Sequence, residues 1–242
     1  MLSDNAKPPT RQVLKMRVER VVDYTAQIRE IFASPEQAFS FKAGQFVMLR
    51  VPAEPKPILR AYSIASDARR SDRIRLVFKQ VEGGPATQFV WGLKGGETLE
   101  FTGPFGRVFF QEPPSEQVLF LNTGSGVSQH ASFLSTYADR YPGARYRLLF
   151  GVRREADIYY REELEALRGQ IRDFAYHYVL SRPSAEWQGK RGYVQNHMDE
   201  YDWKSIPTTF YLCGNGAMIK DVKQRLLGSG IEPGRILSEA FD

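Results

Sequence analysis

The sequence has few of the side chains from which a protein builds its own redox or metal centre. It has one cysteine, Cys213, in 242 residues. A single thiol forms no intramolecular disulfide and cannot ligate an iron–sulfur cluster. The three histidines, His130, His177 and His197, are far apart in the chain, and neither HExxH nor CxxC occurs. No bound metal is expected. No apolar run approaches the roughly 20 residues that span a bilayer. Met1–Thr10 is polar, contains Pro8-Pro9 and lacks an apolar leader core. A cytoplasmic protein without a membrane span is expected. The chain carries 33 Lys+Arg against 28 Asp+Glu, a net charge of +5, but no basic stripe interleaved with aromatic residues. Nucleic acid is therefore not an expected partner. The mild positive charge suits an anionic cofactor or an acidic protein. Internal repeats and low-complexity tracts are absent as well.

What the sequence does contain divides into two halves. In the first, Leu14, Met16 and Val18 alternate with Lys15, Arg17 and Glu19, and Ile74, Leu76 and Phe78 alternate with Arg75, Val77 and Lys79. A period of two predicts half-buried strands with one wet face. Phe46–Val51 and Leu99–Phe101 add short strands, separated by Pro and Gly turns, and a short helix is expected over Ala86–Leu93. Many short strands of this kind predict an antiparallel barrel or sandwich. The second half alternates strands (118–121, 146–152, 174–180, 209–213, 236–237) with helical stretches (127–137, 162–167, 217–227). That order predicts crossovers and a parallel sheet. The polar segment Gln111–Glu116, with Pro113-Pro114, marks the boundary, and the cleft between two domains is the default ligand site.

Four segments carry chemistry. Along a strand, Arg60 and Tyr62 share a face and Ser63 takes the other, offering a guanidinium for a diphosphate, a ring for a flat heterocycle and a hydroxyl for a ring nitrogen. Gly83-Gly84-Pro85-Ala86-Thr87 opens the short helix, where free N–H groups bind phosphate. Thr123-Gly124-Ser125-Gly126-Val127 lies between strand and helix. It is neither a Rossmann fingerprint nor a Walker loop nor a nucleophile elbow. Tyr211–Met218 repeats the strand-to-helix turn and puts Cys213 at a strand end, with Asn215 as N-cap. Taken singly, each also reads as ordinary structure: an edge strand with a solvent arginine, a Pro-initiated turn, a bare Gly-Ser-Gly, a buried core cysteine.

Their order is more specific. Arg60-x-Tyr62-Ser63, Gly83–Thr87, Gly103-Pro104-Phe105-Gly106, Gly124–Val127 and Cys213-Gly214-x-x-x-Met218 together resemble the ferredoxin–NADP reductase family from about residue 13 to the end of the chain. Arg60–Ser66 is similar to the plant-type and bacterial reductases. The resemblance implies an antiparallel β-barrel FAD-binding domain over residues 1–112, then a parallel-sheet α/β NAD(P)-binding domain over 113–242. By that resemblance Arg60 pairs with the FAD diphosphate, Tyr62 lies against the isoalloxazine, and Ser63 bonds near N5, with Ala61 beside them. Val77 and Lys79 line the ribityl and adenylate side, and Gly84, Ala86 and Thr87 cap the diphosphate. Thr123, Gly124, Ser125, Gly126 and Val127 cradle the nicotinamide dinucleotide, aided by Arg153, Gly214 and Met218. Ser63, Cys213, Glu239 and Phe241 form the expected catalytic set. Cys213 and Glu239 flank the hydride-transfer position, and Phe241 covers the flavin face until the nicotinamide arrives.

One departure is Ser128-Gln129, where the family has Ala-Pro. Ser181-Arg182, the cations Lys190-Arg191 and Tyr193 resemble the set that NADP-using relatives place at the adenosine ribose, so NADPH is expected, with NADH as the alternative. The implied one-electron partner is a separate, acidic ferredoxin or flavodoxin. The alternative is an FAD-bearing subunit of a larger electron-transfer complex with little turnover of its own.

Overall fold

Alternating side chains build the first sheet. The computed structural model describes residues 12–70 and 72–241. Met1–Thr10, expected above to lack a leader core, and Asp242 lie outside the described residues. Six antiparallel strands, β1 (Gln12–Thr25), β2 (Ile28–Pro35), β3 (Phe46–Val51), β4 (Ile58–Ser63), β5 (Ile74–Lys79) and β6 (Thr98–Phe105), are ordered β4-β3-β6-β1-β2-β5. A bridge between Ile64 and Leu76, with Ala65 N donating to Arg75 O at 2.9 Å, joins the two edges and closes the barrel. Leu14, Met16 and Val18 of β1 and Ile74, Leu76 and Phe78 of β5 fill it, as their period predicts. The short helix α1 (Pro85–Trp91) packs Ala86 and Val90 into the same core. Arg29 closes its C-terminus: Nη1 donates to Val90 O at 3.0 Å while Asp23 grips the guanidinium at 2.6 and 2.8 Å. A cation at that end meets the negative pole of the helix dipole.

The second sheet contains β7 (Gln117–Thr123), β8 (Arg145–Val152), β9 (Phe174–Leu180), β10 (Lys190–Arg191), β11 (Thr208–Gly214) and β12 (Ile236–Ala240). All are parallel, in the order β10-β9-β8-β7-β11-β12. Helices α2 (Val127–Tyr137), α3 (Arg161–Gln170) and α4 (Gly216–Gly228) make the crossovers. Successive strand residues alternate between two cores, as in any sheet covered on both faces. Val118, Phe120, Leu148 and Phe150 pack with α2 and α3, and Leu119, Leu121, Leu149 and Phe210 pack with α4 and the short helical turns of 194–201. Among the described residues no helix is long and apolar enough to cross a membrane.

Two differences from the sequence reading share one cause. Val77, expected on a wet face, is 3% exposed, and β2 was not foreseen at all. The outer faces of β2 and β5 are covered by the second domain. Ile28 and Val77 belong to the same core as Phe120, Tyr159 and Tyr160. A strand buried on both sides loses its alternation, which removes the signal.

Candidate functional site

The strand order creates the site. The chain leaves β7 toward β8, β9 and β10 on one side and returns to β11 and β12 on the other, so the sheet's switch point lies between the C-terminal ends of β7 and β11, where open α/β sheets bind ligands. Two glycines are obligatory there. A Cβ on Gly126 would lie 2.5 Å from the Cys213 carbonyl oxygen. Gly214 has φ +124°, and its Cβ would sit 2.4 Å from Thr123 Oγ1. The backbones of the two turns can thus close on each other. Thr123 Oγ1 accepts from Asn215 N at 2.9 Å, and Asn215 Oδ1 accepts from Met218 N at 3.1 Å, capping α4. Tyr159 Oη donates to Gly124 O at 3.0 Å.

A cavity of about 380 Å³ opens over these turns. Its walls bring together residues from separate segments: Thr123, Gly124 and Ser125; Arg153; Ser181 and Tyr193; Gly214 and Met218; Lys79 from the barrel; and Phe241 on the C-terminal tail. Phe241 N donates to Gly214 O at 2.9 Å, which fixes the tail beside the turn. Arg182 stands next to Arg153, because its N–H donates to Arg153 O at 2.8 Å. Both guanidiniums lack a side-chain partner among the described residues, whereas Lys190 is paired with Glu200 and Arg191 donates to Ala185 O and Trp187 O at 2.9 and 2.6 Å. The two cations expected to help Arg182 are therefore already engaged in holding their own loop. Gln27, Tyr159, Gln195 and Asn215 also line the cavity. Of these only Asn215 carried a local signal, its cap position; the others arrive by tertiary packing.

The barrel residues form a second group, outside this cavity except for Lys79. Arg60 and Ala61 are exposed on β4. The Tyr62 ring lies 4.2 Å from that of Phe78, and burial pushes its hydroxyl pKa up to about 12 against the opposing pull of the Arg60 charge. Ser63 is buried, and its Oγ has no hydrogen-bond partner. A buried hydroxyl without a partner costs stability, so Ser63 fits a group that presents a polar atom there. Gly84 is the N-cap of α1 and Ala86 points into the barrel. The Thr87 hydroxyl accepts from Val81 N at 2.9 Å and so holds its own turn. The exposed guanidinium of Arg60, whose Nη1 donates to the Leu59 carbonyl at 2.9 Å, and the orphaned Ser63 Oγ on one strand suit FAD, and the glycine cradle with Arg153 and Arg182 suits a dinucleotide.

On the far side of the glycine turns, Val127 and Cys213 are fully buried behind the cavity wall. Burial, with the Glu239 carboxylate alongside, pushes the Cys213 thiol well up, so it stays protonated. The Cα of Cys213 pairs with that of Glu239 across β11 and β12. Burial also raises Glu239, and a hydrogen bond from Gln129 at 2.6 Å pulls it back down.

The model of an oxidoreductase FAD-binding domain matches residues 16–110, and that of an oxidoreductase NAD-binding domain matches residues 120–224. The chain is 38% identical over 216 residues to ferredoxin–NADP reductase B of Sorangium cellulosum, covering 85% of this chain and 87% of that one. It is 30% identical over 228 residues to the reductase component of phenol 2-monooxygenase from Pseudomonas sp. strain CF600, but spans only 64% of that protein's length. Among solved structures, the Amycolatopsis cytochrome P450 reductase superposes with a TM-score of 0.89 at 26% identity, over 99% of this chain and 73% of that one. A Neisseria gonorrhoeae ferredoxin NADP+ reductase with bound FAD and NADP superposes at 0.80 and 23% identity, over 94% and 98%, a likeness of fold.

Proposed function

The chain belongs to the ferredoxin–NADP reductase family and is an oxidoreductase with an FAD-binding and an NAD-binding domain; from that premise we propose that it exchanges electrons between NADPH, in preference to NADH, and an acidic ferredoxin- or flavodoxin-like carrier in the cytoplasm. The division of labour is residues 1–112 for FAD and 113–242 for NADPH. The carrier lies outside these residues, because one cysteine cannot hold a cluster. FAD, when bound, supplies the step between two-electron hydride and single-electron chemistry.

The chain's own residues bind and align. Arg60 holds the FAD diphosphate by a charge-assisted bond. Tyr62, braced on Phe78, presents a ring face, and the Ser63 hydroxyl gains the partner it lacks. Val77 and Lys79 stand on the ribityl and adenylate side, and the start of α1 at Gly84, Ala86 and Thr87 faces the diphosphate. On the other side the Thr123–Val127 and Gly214–Met218 turns cradle the nicotinamide dinucleotide, Tyr193 stacks on its adenine, and Ser181, Arg182 and Arg153 hold its 2′-phosphate. Phe241 keeps the nicotinamide place free of water, and Glu239, with the buried Cys213 behind it, flanks the hydride-transfer position. The observation that carries this reading is the switch-point cavity. There Arg153 and the exposed Tyr193 line the wall, and Arg182, outside the lining, is joined to Arg153 by its backbone N–H; neither guanidinium has a side-chain partner among the described residues.

The experiment is direct. The purified protein is expected to be yellow, to release FAD rather than FMN on denaturation, and to bleach on anaerobic addition of NADPH. A colourless folded protein, or one that releases only FMN, refutes the FAD reading. A flavin that NADH reduces faster than NADPH refutes the specificity.

A further inference from the structure

Gln129 is fully buried in the first turn of α2, where a polar amide needs partners. Its Nε2 has two: it donates to the Glu239 carboxylate at 2.6 Å and to the Gly44 carbonyl at 3.2 Å. Glu239 is on β12, and Gly44 is on the barrel just before β3. An amide carries its donors on one side and its acceptor on the other, so two acceptors at Nε2 determine which way it faces. Gly44 is a rigid anchor. Its φ is +93°, and a Cβ there would lie 2.2 Å from Val108 O. That anchor adjoins Ser63, because Phe46 pairs with Ser63 across β3 and β4 and Gln45 O accepts from Ile64 N at 3.0 Å. One buried amide therefore ties Glu239 to α2 and to the barrel segment beside Ser63.

We infer that Gln129 is a positioning residue that holds the Glu239 carboxylate against the barrel, beside Cys213, for hydride transfer. The inference rests on the reading of Glu239 as part of the hydride-transfer position. A proline at 129, as in the family pattern, has no donor to offer Glu239, so Ser128-Gln129 adds a contact. Among the described residues the titratable neighbour facing Glu239 is Cys213 on β11, whose thiol stays protonated. From α2 Glu239 meets the Gln129 amide, and the barrel side of the clamp is the Gly44 carbonyl. Burial raises the carboxylate's proton affinity and the Gln129 donor opposes it.

The test uses the holoenzyme labelled with isotopic glutamate. Loss of one carboxyl resonance in Glu239→Gln assigns Glu239, whose pH titration is then followed in wild type and in Gln129→Met. The pH profile of flavin reduction by NADPH is measured alongside by stopped flow. Loss of a hydrogen bond to a charged acceptor moves the titration midpoint up by about one pH unit or more, and the acid limb of the rate profile moves with it. In the Glu239→Gln background, Gln129→Met costs no further rate. An unmoved midpoint overturns the inference whatever the rates do, and so does an additive rate loss in the double variant. A moved midpoint with wild-type rate profiles in both single variants supports the Gln129 clamp and instead refutes the role of Glu239 in hydride transfer. Gln129→Leu repeats the measurement with another shape should the methionine variant fail to fold.

Discussion

Removing the Tyr160 hydroxyl is expected to loosen the barrel from the α/β domain. Glu30 of β2 is fully buried, and its two carboxylate oxygens accept four bonds. Arg75 Nε and Nη2 each donate at 2.9 Å, Tyr24 Oη at 2.8 Å and Tyr160 Oη at 2.5 Å. Tyr24, Glu30 and Arg75 belong to the barrel; Tyr160 caps α3 of the second domain in a left-handed conformation, φ 63°. Burial beside Glu30 pushes both phenols far above their ordinary range, so they remain donors. A hydrogen bond to a buried charge is worth about 1.5–3 kcal/mol. At roughly 2–4 °C per kcal/mol for a chain of this size, Tyr160→Phe should lower Tm by about 3–12 °C. Glu30→Ala goes further, because the Arg75 side chain, 26% exposed, is left with only Glu163 at 3.5 Å. A buried pair broken from one side costs about 3–5 kcal/mol. Thermal unfolding of both single variants and the double closes a cycle, and a coupling above about 0.5 kcal/mol is expected for groups in contact. In Glu30→Ala the two domains should melt in separate steps. A Tm for Tyr160→Phe within half a degree of wild type, or strict additivity, would refute the clasp.

Other expectations follow from single sites. His130 is buried, which holds its pKa down to about 3. Between there and the ordinary value near 6.5 the unfolded chain binds a proton that the native state refuses, so stability is lost as pH falls through that window. Urea unfolding at pH 7 and pH 5 should show about 2 kcal/mol more loss in wild type than in His130→Gln; equal losses would mean that the imidazole is not held neutral. Arg182→Ala should raise KM for NADPH about ten- to a hundredfold and leave NADH nearly unchanged, and equal losses with both cofactors would remove Arg182 from 2′-phosphate recognition. Ser63→Ala should retain FAD but slow flavin reduction in stopped flow, an effect absent if Oγ has no role near N5. Gly214→Ala, whose Cβ meets Thr123 Oγ1 at 2.4 Å, should weaken NADPH binding with FAD still bound, and unchanged NADPH titration would show that the turn can open.

What the sequence determined by itself was what local patterning encodes. The glycine turn and the apolar spacing after it place α2 at Val127–Tyr137, and the apolar run of β9 at Phe174–Leu180, with the ends observed. The ordered motifs were enough to resemble a family and so to imply the cofactors and two domains. Tertiary structure decided what depends on approach between distant segments. The strand order, and with it the switch point, cannot be read from connections that look alike along the chain. β2 and Val77 lose their alternation because a second domain covers their outer faces. Lys190 and Arg191 look like free cations until Glu200 and two carbonyls take them. Gln129 looks like a missing proline until Glu239, 110 residues later, and Gly44, 85 residues earlier, converge on its amide. Side-chain periodicity is a property of neighbours in the chain, whereas a hydrogen-bond partner is chosen by neighbours in space.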